Sequence, residues 1–295
     1  MTRSTVSWIR TVAALAVLSL ATGACRQRDA PAKTSGASAP HPSKVKPTRA
    51  SAPASDPLWH YEGDEGPAHW GTLSSGYAAC ASGRAQSPID IVAPDGASAA
   101  DTVALTFPPT SLRIIHHDHV ADALNNGHTI QVNYSEGDTL NVGGRVYQLA
   151  QYHFHAPGEH TVKGTQFPME MHFVHTNAAG QLAVIAVLIV EGMHNAAFDP
   201  IWANLPAQTG KESHLEHVTV DVDAFLPPTR TTYRYDGSLT TPPCSEGVKW
   251  FVMTTPIALS KAQIGAFARL FHGNNRPVQP LNGRPVLTDE VGGTD

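Results

Sequence analysis

Cysteine, charge and long apolar runs are all scarce in this chain. Its 295 residues include three cysteines, 15% charged side chains and 7% aromatic ones. The net charge is −5 and no run of Lys or Arg forms a basic patch inside the domain, which argues against nucleic acid as a partner. There is no glycine-rich phosphate loop and no internal repeat, so nothing points to a nucleotide cradle or a repeat array. The apolar run Val12–Ala21 is too short to cross a bilayer, which takes about 20 residues.

What the N-terminus does hold is a secretory pattern. Arg3 and Arg10 precede the apolar run, and Gly23-Ala24-Cys25 follows it. This tripeptide resembles a bacterial lipobox, in which the cysteine is lipidated and becomes the mature N-terminus; Thr22 departs from the larger aliphatic residue usual there. Residues 1–25 are therefore read as an export signal with Cys25 as its lipidation site, plain secretion being the other outcome. Residues 26–56 are rich in Pro, Ala, Ser and Lys, cannot bury enough surface to fold, and read as a flexible tether. Composition changes at about Pro57, where Trp59, Tyr61 and Trp70 arrive together. One folded domain is expected over 57–290, followed by a short tail, 291–295. The expected location is the periplasm or cell envelope, with a membrane reached only through the lipid. With Cys25 set aside, Cys80 and Cys244 remain as an even pair, natural disulfide partners in an oxidising compartment.

The periodicity is mostly strand-like. Thr129–Tyr134, Arg145–Ala156, Pro168–Thr176, Leu182–Glu191, His217–Val222, Thr231–Tyr235 and Lys249–Thr254 read as β runs bounded by Gly, Pro, Asn and Asp. Leu182–Val190 is continuously apolar, as a strand buried on both faces requires. One helical pattern is convincing: Ser260 as N-cap, then Ile264, Phe267, Ala268 and Phe271, ending at Gly273. Asp199–Asn204 reads as a second, short helix. The domain is thus mainly antiparallel β with short peripheral helices.

Histidine carries the chemistry. In His153-Phe154-His155 two imidazoles two residues apart point the same way on a strand. Taken alone, the pair is equally an ordinary couple of half-buried strand histidines. His172 changes the balance, because Glu170, His172 and Val174 share one face of a neighbouring run. The acid two residues before His172 can accept from its ring and fix its tautomer, and Gln151 stands in the same relation to His153. Three neutral nitrogens with an open fourth position make a catalytic rather than a structural zinc site.

Other segments then become legible together. Gln86-Ser87-Pro88-Ile89-Asp90, Asn126-Gly127-His128, Gln151-Tyr152-His153-Phe154-His155, Glu159-His160-Thr161, Glu170-Met171-His172-Phe173-Val174-His175 and Gly237-Ser238-Leu239-Thr240-Thr241-Pro242-Pro243 occur in this order. The ordered set, from about Trp59 to Pro285, resembles the α-class carbonic anhydrases of bacterial exported type. That resemblance implies a large, twisted, mostly antiparallel central sheet in an α+β fold. It also implies Zn2+ on His153, His155 and His172, and reversible hydration of carbon dioxide to bicarbonate. In the family a zinc-bound hydroxide attacks CO2, the metal lowering the pKa of its bound water to about 7. Thr240 matches the residue that accepts the hydroxide's proton and donates in turn to Glu159. His128 matches the proton shuttle, suited to it by an imidazole pKa near 6.5. Tyr61 and Asn126 match residues that hold the water chain, and Gln131 a polar cavity residue. Val174, Val184, Leu239, Val248 and Trp250 match an apolar wall for CO2, with Thr241 beside it. Sulfonamide and anion inhibitors are expected from the family, and a homodimer is left open.

Departures accompany the likeness. Ala156-Pro157-Gly158 stands where relatives often carry an aromatic residue or a serine. His116-His117-Asp118-His119 is extra; its adjacent spacing offers no shared strand face, and a solvated polar loop is the expectation. His160, His175, His194, His214, His217 and His272 are read as structural or solvent-facing. Two rivals remain. His153-x-His155-x3-Glu159 imitates a cupin motif, a two-histidine, one-carboxylate site for iron or manganese, but it leaves His172 and Leu239-Thr240-Thr241-Pro242 unexplained. A non-catalytic carbonic-anhydrase-like domain, used for adhesion or zinc sequestration, would typically have lost a ligand or the relay, and here all are present.

Overall fold

The computed structural model describes residues 58–92, 113–115, 119–134 and 138–290. The export signal with Cys25, the tether, the tail, and His116, His117 and Asp118 lie outside the described residues. The strands are β1 (Asp90–Ile91), β2 (Arg113–Ile115), β3 (His119–Asn125), β4 (Ile130–Asn133), β5 (Thr139–Val142), β6 (Arg145–His155), β7 (Thr161–Val162), β8 (Thr165–Gln166), β9 (Met169–Thr176), β10 (Leu182–Glu191), β11 (Glu212–Val220), β12 (Thr231–Ser238), β13 (Glu246–Met253), β14 (Ile257–Leu259) and β15 (Leu287–Glu290). Four α-helical segments accompany them: α1 (Trp70–Leu73), α2 (Ala79–Ser82), α3 (Asp199–Trp202) and α4 (Lys261–Ala268).

One sheet of 12 strands dominates, in the order β11-β3-β4-β6-β9-β10-β13-β12-β15, with β14 on β10 and β2 on β5, which pairs with β6. Its pairings are antiparallel except β10 with β13 and with β14, so the sheet is mixed. The mainly β fold with peripheral helices is as the periodicity and the family resemblance implied.

Alternation along the central strands builds two cores, one on each face of the sheet. Tyr152, Phe154, Met171, Phe173, Ile185, Val187 and Phe251 fill one. Val184, Ala186, Leu188, Val248, Trp250 and Val252 fill the other, with Val174 and Leu239 packed at its border. β10 sends residues into both, which is why its sequence is apolar without alternation. Each large side chain so buried stabilises the fold by about 1.5–3 kcal/mol.

Elsewhere the boundaries moved. β11 begins at Glu212, earlier than the expected His217, and ends at Val220; Val222 instead turns into the first core. His119 opens strand β3, so that end of the histidine cluster is not loop. The Ser260 cap forms as a reciprocal box with Gln263, Ser260 Oγ accepting from Gln263 N at 3.2 Å and Gln263 Oε1 from Ser260 N at 3.1 Å. That helix stops at Ala268 rather than Phe271, because the Leu270 N–H bonds to Phe267 O and tightens the last turn.

A third small cluster joins Trp70, Tyr77 and Cys80 of the N-terminal segment to Cys244, with Trp59 and Tyr61 against it. Cys80 and Cys244 are disulfide-bonded across 164 residues, tying α2 to the loop that follows Thr241. At Gly237 in β12 a Cβ would collide with Ser87 Oγ and press on the rings of Trp250 and Tyr235, so only glycine lets the Gln86-Ser87 segment approach this closely.

Candidate metal centre

β6 and β9 run antiparallel with His153 opposite His172 and His155 opposite Glu170. Since Tyr152 and Phe154 are committed to the first core, His153 and His155 must face the other side, and His172 joins them there. The ring centroids lie 5.0 Å apart for His153–His155, 5.2 Å for His153–His172 and 4.6 Å for His155–His172. One nitrogen from each ring comes within 4.8 Å of the others.

Which nitrogen follows from the hydrogen bonds. His153 Nδ1 donates to Gln151 Oε1 at 2.8 Å, and His155 Nδ1 to the Asn274 carbonyl at 2.6 Å. His172 Nε2 donates to Glu170 Oε1 at 2.7 Å. The lone pairs left over are on His153 Nε2, His155 Nε2 and His172 Nδ1. His155 Nε2 is buried with no hydrogen-bond partner, an expense that a cation would offset. Burial lowers all three imidazole pKa values, with the neighbouring histidines adding to the effect at His153: well below 6.5 for His153, to about 4 for His155, and in the same direction for His172. All three rings are therefore neutral at pH 7, the form a metal ligand requires. The donor set fits a zinc ion.

Glu170 organises the layer behind these ligands. Its Oε2 accepts from the backbone N–H groups of Glu159 (2.8 Å) and His160 (2.7 Å), and its Oε1 faces His160 Nδ1 at 2.6 Å as well as His172. Burial alone would raise this carboxyl, but His160 and His172 outweigh it and hold the group well below the usual carboxylate range. His160 Nε2 continues at 2.7 Å to the Tyr235 hydroxyl, which lies 2.9 Å from Ser87 Oγ. His160, set aside from the sequence as structural or exposed, is fully buried and holds Glu170 in place.

Glu159 stands close by but outside the cluster, its Oε1 accepting from Arg276 N at 2.8 Å and lying 3.6 Å from His155 Nδ1. Burial pushes it up to about 7 against the pull of His172 and the Arg276 N–H; a dication among the imidazoles would draw it back toward carboxylate. Thr240 is the weakest of the groups acting on it, and Glu159 Oε2 makes no hydrogen bond of ordinary geometry. Both Thr240 and Glu159 are buried.

The remaining sequence candidates distribute around this point. Val184 pairs in register with Val174 on one side and Trp250 on the other, and Trp250 sets its ring edge-on to His172 at 5.0 Å. Val248 is buried in the same core with Leu239 at its border, and Thr241 is half-buried in the loop after Thr240. Gln131 is opposite His153 in the β4–β6 ladder and donates to Asn133. Asn126 is exposed, and its Oδ1 is spent on a turn, accepting from His128 N and Thr129 N at 2.9 Å each. Tyr61 packs with Trp59 and Trp70, while His128 stacks on Trp59 with centroids 3.7 Å apart.

Two residues escaped sequence reasoning. Asn274 receives His155 and Ala156 N, and its amide donates to the carbonyls of His128 and Phe154. Arg276 is buried, donating to Gln86 Oε1 and the carbonyls of Ser87 and Cys80. Both sit in an irregular segment after α4 with no periodicity to flag them; only their spacing of two, alternating like a strand, hinted at a common face.

The arrangement defines a class: a three-histidine cluster fit to hold a metal on one face of a β-sheet, with a hydroxyl, a carboxylate and apolar side chains beside it. Comparison with known proteins resolves the class to a family. The family model for eukaryotic-type carbonic anhydrase matches residues 65–290. A carbonic anhydrase of Pectobacterium carotovorum is 44% identical over 239 residues, 80% of this chain and 93% of its own. Among solved structures, the α-carbonic anhydrase of Thermovibrio ammonificans in complex with the inhibitor sulfanilamide has TM-score 0.70 and 42% identity, covering 78% of this chain and 98% of that one. Dioscorin complexed with ascorbate has TM-score 0.68 at 27% identity, covering 79% and 98%. This chain belongs to the α-class, or eukaryotic-type, carbonic anhydrase family, whose members are zinc enzymes. With membership shown, the cupin alternative falls.

Proposed function

We propose that this chain binds one zinc ion at His153 Nε2, His155 Nε2 and His172 Nδ1 and catalyses the reversible hydration of carbon dioxide to bicarbonate and a proton. The observation that carries the proposal is the hydrogen-bond pattern: each ring's other nitrogen is tied, so three neutral lone pairs converge. Zinc supplies Lewis acidity, which makes a nucleophile of water near neutral pH.

The chain's own groups do the rest. Thr240 accepts a hydrogen bond from the attacking oxygen and turns its own proton toward the free Oε2 of Glu159, which leaves the oxygen's lone pair facing the substrate. Arg276 N–H holds the other oxygen of Glu159 and so steadies the carboxylate beside the three rings. Val174, Val184, Leu239, Val248 and Trp250 give apolar CO2 a dry wall without a charged clamp, and Thr241 lies at its edge. His128 carries the released proton away from the site, with Tyr61, Asn126 and Gln131 lining the water between. Sulfonamides are expected to occupy the same centre; the Thermovibrio ammonificans relative forms a complex with the inhibitor sulfanilamide. The signal pattern ending at Cys25 supports export to the cell envelope with a lipid anchor.

The test is stopped-flow CO2 hydration with zinc content determined on the same sample. Rapid hydration that disappears together with zinc in His153→Ala supports both assignments. One bound zinc without hydration would make this a binding domain and overturn the catalytic reading.

A further inference from the structure

The ring of a second histidine lies beyond His128. His60 and His128 have centroids 6.2 Å apart, tilted by 50°. Both are locked by backbone contacts rather than by chance packing. Asn126 Oδ1 accepts from His128 N, and Asn274 donates to the His128 carbonyl, while the His128 ring is stacked on Trp59. His60 N donates to the Glu65 carbonyl at 2.9 Å, and the buried Trp70 indole donates to the His60 carbonyl at 2.8 Å. Ring nitrogens sit about 1 Å from their centroid, so this pair is too far apart for a direct hydrogen bond and close enough for one bridging water.

The surroundings differ on the two sides. The side chain of His60 is half exposed, and its Nε2 has the Glu65 carboxylate as counter-ion at 3.6 Å. An open cleft of about 410 Å³ passes His60, Glu62, His128 and His272. His60 thus has Glu65 and His128 in direct range, and Tyr61, Glu62 and His272 are the other titratable groups lining the same cleft. Burial, and then His60 itself, lowers the pKa of His128. A charge on His60 opposes one on His128, so His60 must pass its proton to buffer before His128 can hand over the next.

We infer that His60 is the outer station of the proton path, receiving each proton from His128 through a single water and releasing it to buffer beside Glu65. One proton moves in each event: His128 N–H gives it to the bridging water, and that water gives another to His60. No other bond changes, and no co-reactant is needed beyond the buffer base. This inference rests on the proposed role of His128 as the shuttle. His60 acts through His128 and touches no substrate.

The experiment compares wild-type enzyme, His60→Ala, His60→Gln and His128→Ala, all zinc-loaded, by stopped-flow hydration in weak and strong imidazole buffer. For both His60 variants, kcat in weak buffer should fall about threefold, well under the roughly 10²–10⁴-fold worth of a directly acting acid or base. KM should fall with it, so that kcat/KM stays constant, and added imidazole should restore kcat. Gln keeps polarity and size but cannot titrate, so recovery by His60→Gln would mean a structural role and overturn the relay. Unchanged kcat in His60→Ala while His128→Ala is impaired would also overturn it, leaving the shuttle intact. Unchanged kcat in both would overturn the shuttle reading as well.

Discussion

Glu170 offers a sharp test because all of its acceptor capacity is used. Two backbone N–H groups reach Oε2 and two histidine nitrogens face Oε1, at 2.6 to 2.8 Å, with the residue fully buried. Glu170→Gln changes almost no volume but replaces one acceptor with a donor. If the amide NH2 takes the place of Oε2, it confronts the N–H groups of Glu159 and His160, and two buried donors go unpaired. If it takes the place of Oε1, His172 must give up its Nε2 proton to accept. The proton then sits on Nδ1, the atom that faces His153 and His155, and the metal lone pair is lost. Buried unsatisfied donors cost about 1–3 kcal/mol each, and breaking a buried charged arrangement costs about 3–5 kcal/mol. The expected loss is about 3–5 kcal/mol, a Tm drop of roughly 6–20 °C for a domain of this size. Zinc affinity should fall about 10–100-fold.

Urea denaturation with and without chelator, paired with a competitive zinc titration, separates the two effects. Gln151→Ala is the internal standard. It removes one neutral bond, to a partly buried His153, and should cost only about 0.5–1.5 kcal/mol. A Glu170→Gln protein within about 1 kcal/mol of wild type and binding zinc normally would refute the claim that this carboxylate sets the tautomer.

Two further outcomes follow from the same contacts. Removing the disulfide in a Cys80→Ala/Cys244→Ala double variant releases a 164-residue loop. The chain-entropy relation puts the loss at about 5 kcal/mol, measured by urea denaturation with the slope fitted for each protein because the freed unfolded chain exposes more surface, and a change below about 1 kcal/mol would show that the N-terminal segment is held by packing alone. The lowered pKa of His128 has its own sign. Below the ordinary value near 6.5 the unfolded chain binds the proton that the folded chain refuses, so stability falls as pH drops from there toward the folded pKa. Wild type minus His128→Ala should show that slope, and an NMR titration of His60→Ala should move His128 part of the way back up, burial being unchanged. No upward movement would mean that His60 exerts no charge on it.

What the sequence made legible was whatever obeys a short-range period. The run containing His153 and His155, and the one containing Glu170 and His172, lie on strands of eight or more residues, long enough for a period of two to declare which side chains share a face. The two-residue offsets from Gln151 to His153 and from Glu170 to His172 use that same period, so the acceptors could be anticipated with the ligands. β1, β2, β7, β8 and β14 have three residues or fewer, too short to carry a period. Asn274 and Arg276 were hidden for a different reason. Their partners lie more than 100 positions away, His155 at a separation of 119 and Gln86 at 190, and nothing local distinguishes an asparagine that will seat a histidine from one that ends a loop.

His160 shows what local reading leaves open. The sequence allows it to be structural or solvent-facing; it proves structural, and it and Glu159 present their backbone N–H groups to the same Glu170 oxygen. That one carboxylate therefore fixes both the ring behind His172 and the peptide that carries Glu159. The pocket's acid and its ligand are set by a single buried charge, which is why a substitution that leaves shape intact should disturb zinc affinity and fold stability together.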